Sequence, residues 1–172
     1  MIKNKTYLLT AIGLVTMLLS GQAFSFTASG TMNINATIIP SCTIGLSNVA
    51  FGNIVNNTFT LQNFNVIINC SSGTNYNVGI NAGLHNGGST FLRHMQDSTG
   101  ASSIFYSIKH TNADWGDTGF GNTFTGSPVA GTGSGVNQTI TGTMMALPNN
   151  GNSNVTLLNT VHSDIVTVTV NY

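Results

Sequence analysis

The segment FSFTASGTMNINATI, residues 24–38, decides how the rest of the chain reads. Its even positions (Phe24, Phe26, Ala28, Gly30, Met32, Ile34, Ala36, Ile38) are apolar or Gly, and its odd positions are Ser, Thr or Asn. Strict period-two alternation predicts a strand with one dry face. The run is far longer than a common strand of about 5 to 6 residues. Such a segment pairs either inside its own domain, as a long first strand, or with another molecule.

On its N-terminal side, residues 1–23 read as a signal peptide. Lys3 and Lys5 form a positive start, Leu8 to Leu19 an apolar core, and Gly21 and Ala23 the small residues before a cleavage site. The apolar core is too short to cross a bilayer. The expectation is an exported protein that meets a membrane only during export. Beyond residue 23 the charged side chains are Arg93 and Lys109 against Asp97, Asp114, Asp117 and Asp164, with no Glu anywhere. That excludes a basic surface for nucleic acid. It also removes a usual guard against association, so the chain is expected either to work packed among copies of itself or to carry a lineage's compositional bias.

Cys42 and Cys70 both lie in the exported part, where two thiols most simply form one disulfide. Closing that loop contributes roughly 3–4 kcal/mol in the chain-entropy treatment. A reactive thiol or a metal pair finds no adjacent His or second Cys in support.

On the C-terminal side the pattern is strands and turns, with no amphipathic helix. The first extended run ends at Pro40, which cannot donate to a ladder. Strands are expected at Thr58 to Cys70, at Tyr76 to Ile80, at Phe91 to Met95, at Ser103 to His110 and at Gln138 to Leu147. Asn86-Gly87 reads as a hairpin-type turn. Residues 111–137 read as long loop with short strands, and Gly131 to Gly135 as flexible loop. Ile165 to Tyr172 closes the chain with Val166, Val168, Val170 and Tyr172 on one face. Strands at this spacing, with Gly-rich turns, indicate an all-β sandwich or barrel.

Several pieces, in order, carry a more specific likeness. They are Cys42 after an alternating strand, the pair Phe51-Gly52, NCSSGTNYNVGINAG around Cys70, Tyr76 and Gly83, and FLRHM with Arg93 and Met95. IFYSI with Tyr106, Trp115-Gly116 and the ending SDIVTVTVNY from Asp164 follow. The chain resembles the spore coat protein U domain family, found in subunits of archaic chaperone-usher pili. It departs from that family before the last strand, where Val161-His162-Ser163 stands in place of a Gly and an aromatic.

The resemblance implies an all-β fold, an incomplete immunoglobulin-like β-sandwich completed by an N-terminal donor strand from a neighbouring subunit. Residues 24–34 would be the donor extension and 35–172 the pilin domain, with the stretch nearer Cys42 as its own first strand. Phe26, Met32 and Ile34 would enter the neighbour's groove, with Ala28 and Gly30 where it is shallow. Val166, Val168, Val170 and Tyr172 would form the groove's edge. The implied partners are a periplasmic chaperone, an outer-membrane usher and other pilin copies, with passage through the periplasm to a cell-surface pilus that serves attachment and biofilm growth. No cofactor is implied.

Catalysis finds little footing. His85, His94, His110 and His162 lack metal-ligand spacing, and no Ser sits in a nucleophile elbow. Arg93 and His94 are expected to cap or solvate a strand end. Trp115, Phe120 and Phe124, in a Gly-rich stretch, are candidates for a surface contact, which keeps open a lectin-like adhesin. A spore or cyst coat protein is the third reading.

Overall fold

The computed structural model describes residues 25–55, 58–87, 89, 91–118, 124–148, 153, 155 and 159–172. The signal-peptide reading, Phe24 and Phe120 lie outside them. The chain divides into two units, residues 1–37 and 38–172. In the first unit, no strand forms over the described residues.

The second unit is an all-β sandwich. Its larger sheet contains β1 (Cys42–Leu46), β2 (Thr60–Cys70), β8 (Gln138–Leu147), β5 (Ser103–His110) and β4 (Arg93–Gln96) in that order, with β6 (Ala113–Asp114) also on β5. The smaller has the order β7 (Val129–Thr132), β3 (Asn75–Ile80), β9 (Val168–Asn171). Every pairing between these strands is antiparallel. The alternating patterns placed β2, β3, β5 and β8 within two residues of where they lie.

Four expectations change. The first strand starts at Cys42 instead of ending before it, because a strand needs a partner for its backbone groups and β2 supplies one from Cys42 onward. Gly131 belongs to β7, and Gly133 is buried against Cys70 and Ser71, so this stretch is packed structure and not flexible loop. Asn86-Gly87 does sit in a turn, but β4 after it pairs with β5 and not with β3, so no hairpin forms there. Arg93 does not face water.

The core lies between the sheets. Val66, Ile68, Val78, Ile80, Ile108 and Ala146 are fully enclosed there, at the inward positions the alternation requires. Cys42 and Cys70 stand directly opposite each other and form the disulfide, which ties neighbouring strands of one sheet. Trp115 is fully buried: its Nε1–H donates to the Val78 carbonyl at 2.8 Å, and its ring stacks on Phe64 at 5.8 Å between centroids. Gly142 makes room for this pair, since a Cβ there would lie 2.4 Å from the Phe64 ring.

Arg93 joins the two sheets. Its guanidinium donates to the carbonyls of Ile80, Asn81 and Trp115, each at 2.8 Å, and lies 3.6 Å above the Phe124 ring. Burial pulls its pKa down to about 10, so it stays charged at neutral pH and the cation is compensated by carbonyl dipoles and an aromatic face. Trp115 and Phe124 are therefore core residues. They do not offer the surface contact expected of them, because one roofs the sandwich interior and the other covers a buried cation.

Two outcomes follow. Arg93→Met should lower stability by about 3–5 kcal/mol in guanidinium unfolding with the disulfide intact, because three buried carbonyls lose a charged donor together. Asp97, in the β4–β5 turn, accepts from the Thr99 hydroxyl, the Ser102 amide (2.7 Å) and the Thr99 amide (2.9 Å), and these bonds, the Thr99 hydroxyl's foremost, hold its pKa at about 2. A carboxylate depressed on folding adds stability above its unfolded pKa and loses it as pH falls through the folded value. The thermal midpoint should therefore drop between about pH 4 and pH 2, and Asp97→Asn should flatten that part of the profile.

Candidate functional site

The last strand carries the site. β9 pairs with β3 along one edge, Val168 opposite Ile80 and Val170 opposite Val78. Among the described residues no strand pairs with its other edge. Val166, Val168 and Val170 turn inward and pack on the core, yet each remains half-buried. Tyr172, expected on the same face, lies beyond the last pair and is 62% exposed.

The lead-in to β9 is held far more firmly than four paired residues would require. Ser163 exchanges two backbone hydrogen bonds with Gln96, each 2.9 Å. Asp164 Oδ1 accepts from the amides of Leu84 (2.9 Å) and His85 (3.3 Å), while Oδ2 accepts from the Tyr106 hydroxyl at 2.5 Å. Burial, and then this bond, push the Tyr106 phenol far above its ordinary pKa, so it is a fixed donor. Gly83, at φ +83°, permits the approach: a Cβ there would collide with Asp164 Oδ2. His162 Nε2 meets Ser102 Oγ at 2.8 Å, and the Thr167 amide donates to Asn81 Oδ1 at 2.8 Å. Asp164 and His162 are thus both engaged in holding the chain. Val161-His162-Ser163, the departure from the family's usual ending, is part of this anchorage.

The other wall is β1 and the segment after it. Ile44 and Leu46 stand opposite Ile68 and Val66, both fully buried, so register assigns them to the inner face. They are nevertheless 39% and 54% exposed. Val49, Phe51 and Ile54 also pack half-buried on the core. The sandwich is stitched along its far side, where the Trp115 amide donates to Ile108 of β5 and the Gly116 carbonyl accepts from Ile80 of β3. That leaves β1 and β9 as the sheet edges on the near side, with apolar side chains turned inward and incompletely covered.

Such an arrangement offers one row of backbone donors and acceptors beside an apolar slot. An open sheet edge beside apolar side chains is the kind of surface on which strand addition occurs. Ile44, Leu46 and Ile54 were not singled out in the sequence, although the alternation of Cys42, Ile44 and Leu46 carried the signal; Phe51 was, as part of the Phe51-Gly52 pair. The segment expected to act as donor lies in the other unit, where Phe26, Met32 and Ile34 are 93%, 79% and 81% exposed and Ala28 and Gly30 are exposed too.

Three comparisons bear on this geometry. The spore coat protein U domain profile matches residues 28–169. No curated protein matches the chain. Among solved structures, the chain is similar to one in the CsuC–CsuE chaperone–tip adhesion subunit pre-assembly complex from the archaic chaperone-usher Csu pili of Acinetobacter baumannii. That match has 24% identity over 79% of this chain and a TM-score of 0.56, and this chain spans 41% of the other's length. It is also similar to the P pilus rod subunit PapA, at 14% identity over 76% of this chain and 98% of that one, with a TM-score of 0.53. At these identities the structures establish the immunoglobulin-like sandwich, and the profile, running over most of the chain, places the protein in the spore coat protein U domain family.

Proposed function

We propose that the chain is a structural subunit of a chaperone-usher pilus, whose sandwich is completed by the N-terminal segment of a neighbouring subunit. The observation that carries this reading is the exposure of Ile44 and Leu46 at inward positions, opposite an unpaired β9 edge. A strand laid between them would cover those side chains together with Val166, Val168 and Val170. It would also pair the free backbone groups of β9.

Residues 24–34 have the pattern for that role. Phe26, Met32 and Ile34 supply bulk, and Ala28 and Gly30 suit a shallower stretch of groove. Full burial of three large apolar side chains contributes roughly 5–9 kcal/mol before ordering costs are subtracted. Register is enforced because a slip by one residue turns every apolar side chain out. Before assembly the same edge is an aggregation hazard, which gives a periplasmic chaperone its task and an outer-membrane usher its substrate. The subunit is then non-enzymatic, sits in a surface pilus and supports attachment and biofilm growth through the fibre. The adhesin alternative loses two of the three aromatics behind it, since Trp115 and Phe124 are interior, while Phe120 lies outside the described residues.

The test removes residues 24–32 and returns them as a peptide. The truncated protein should stop polymerising and should be stabilised as a monomer by the peptide. If the intact mature protein is instead a stable monomer, and the truncation merely unfolds it, the segment is an ordinary first strand and the pilus reading falls.

A further inference from the structure

Between the donor segment and β1 lie residues 35–41, NATIIPS. Seven residues reach at most about 25 Å. A sandwich the size of residues 38–172 has a radius of gyration of about 14 Å, so the linker is shorter than the body it follows. A joint this short keeps consecutive subunits close enough for the linker of one to lie against the other. This deduction rests on the donor-strand reading above.

The linker is not polar. Ile38 and Ile39 are 88% and 78% exposed, and Pro40 behind them fixes its own φ and stiffens the approach to β1. Two adjacent exposed isoleucines in a connecting segment call for a covering surface.

The sandwich has one at the corresponding place. Every strand pairing in the sandwich is antiparallel, and we take a donor beside β9 to follow the same sense. Its Ile34 end then lies toward the start of the last strand, and the linker leaves past residues 160–165. There Leu84, Val161 and Ile165 are 66%, 85% and 66% exposed. Hydrogen bonds restrain the backbone around them. The Leu84 amide donates to Asp164, the residue before Ile165, and the Ser163–Gln96 bonds fix the backbone between Val161 and Ile165. Val161 also borders a cleft of about 430 Å³ with His85, Gln96 and Ser98.

We infer that Leu84, Val161 and Ile165 form a docking rim for Ile38 and Ile39 of the next copy of this chain, making each joint of the fibre a packed apolar contact. The rim charges the linker with a second role besides connection: it clamps the end of the donor strand where unzipping would begin. Donor insertion sets whether subunits join, and the clamp sets how slowly they part.

The experiment uses the full mature chain, with polymers followed for subunit release in sub-denaturing guanidinium. Ile38→Asn/Ile39→Asn should still polymerise, but release subunits roughly tenfold faster. Leu84→Asn/Val161→Asn/Ile165→Asn should do the same, and both sets combined should be no worse than either, as for groups that contact each other. Should the triple variant fail to fold by circular dichroism, Val161→Asn alone carries the acceptor side. Release at the native rate, or losses that multiply when combined, would overturn the rim. Phe26→Asn/Met32→Asn is the control for the underlying reading: if polymers form normally with it, donor insertion itself is wrong and the rim falls with it.

Discussion

β9 is paired along one edge and, among the described residues, open along the other, and much of the molecule is arranged around that imbalance. A half-paired terminal strand of four residues would fray, because its open backbone groups gain nothing from staying extended. Here it is held at its root. Asp164, Tyr106, Asn81, Ser163 and His162 fix residues 162–167, which lead into it, to β4, to the β4–β5 turn, to β5 and to the turn after β3. The valines that follow are thereby held in one register against β3.

The opposite side of the sandwich supplies the rigidity that this openness requires. Arg93 collects carbonyls from β3 and from Trp115 beneath the Phe124 ring, so the sheets cannot separate there without exposing a cation and three acceptors. Trp115 reaches Val78 from the same side, and Gly142 lets the Phe64–Trp115 stack sit flat on β8. One flank is closed by polar groups that demand partners. The other is left with side chains that tolerate partial exposure. That division lets a sandwich with an open edge remain folded.

The sequence disclosed the strands with strong alternation, because period-two burial is written directly in residue type: β2, β5 and β8 have no competing reading. It disclosed the disulfide for a compositional reason. It did not disclose Arg93 as a core residue, since a lone arginine beside a histidine reads as a solvated strand end until three carbonyls from distant segments converge on it. Trp115 and Phe124 were misplaced for a related reason. Gly-rich neighbours signal loop, whereas here Gly116 and Gly126 are small so that their two backbones can pack closely on each other. The groove's β1 wall went unremarked because CTIGL is short and follows a proline, and its inward residues gain meaning only from register with β2.

Beyond residue 23 a protease specific for Lys and Arg finds two bonds to cut, after Arg93 and after Lys109. The first lies in β4, opposite Tyr106, with its side chain enclosed. The second lies within β5, flanked by Thr143 on one side and Asp114 on the other. Neither can enter an enzyme's cleft while the larger sheet is intact. The chain is thus resistant to trypsin-like enzymes as a folded body, and its cleavage records the opening of the sandwich and not the fraying of a loop.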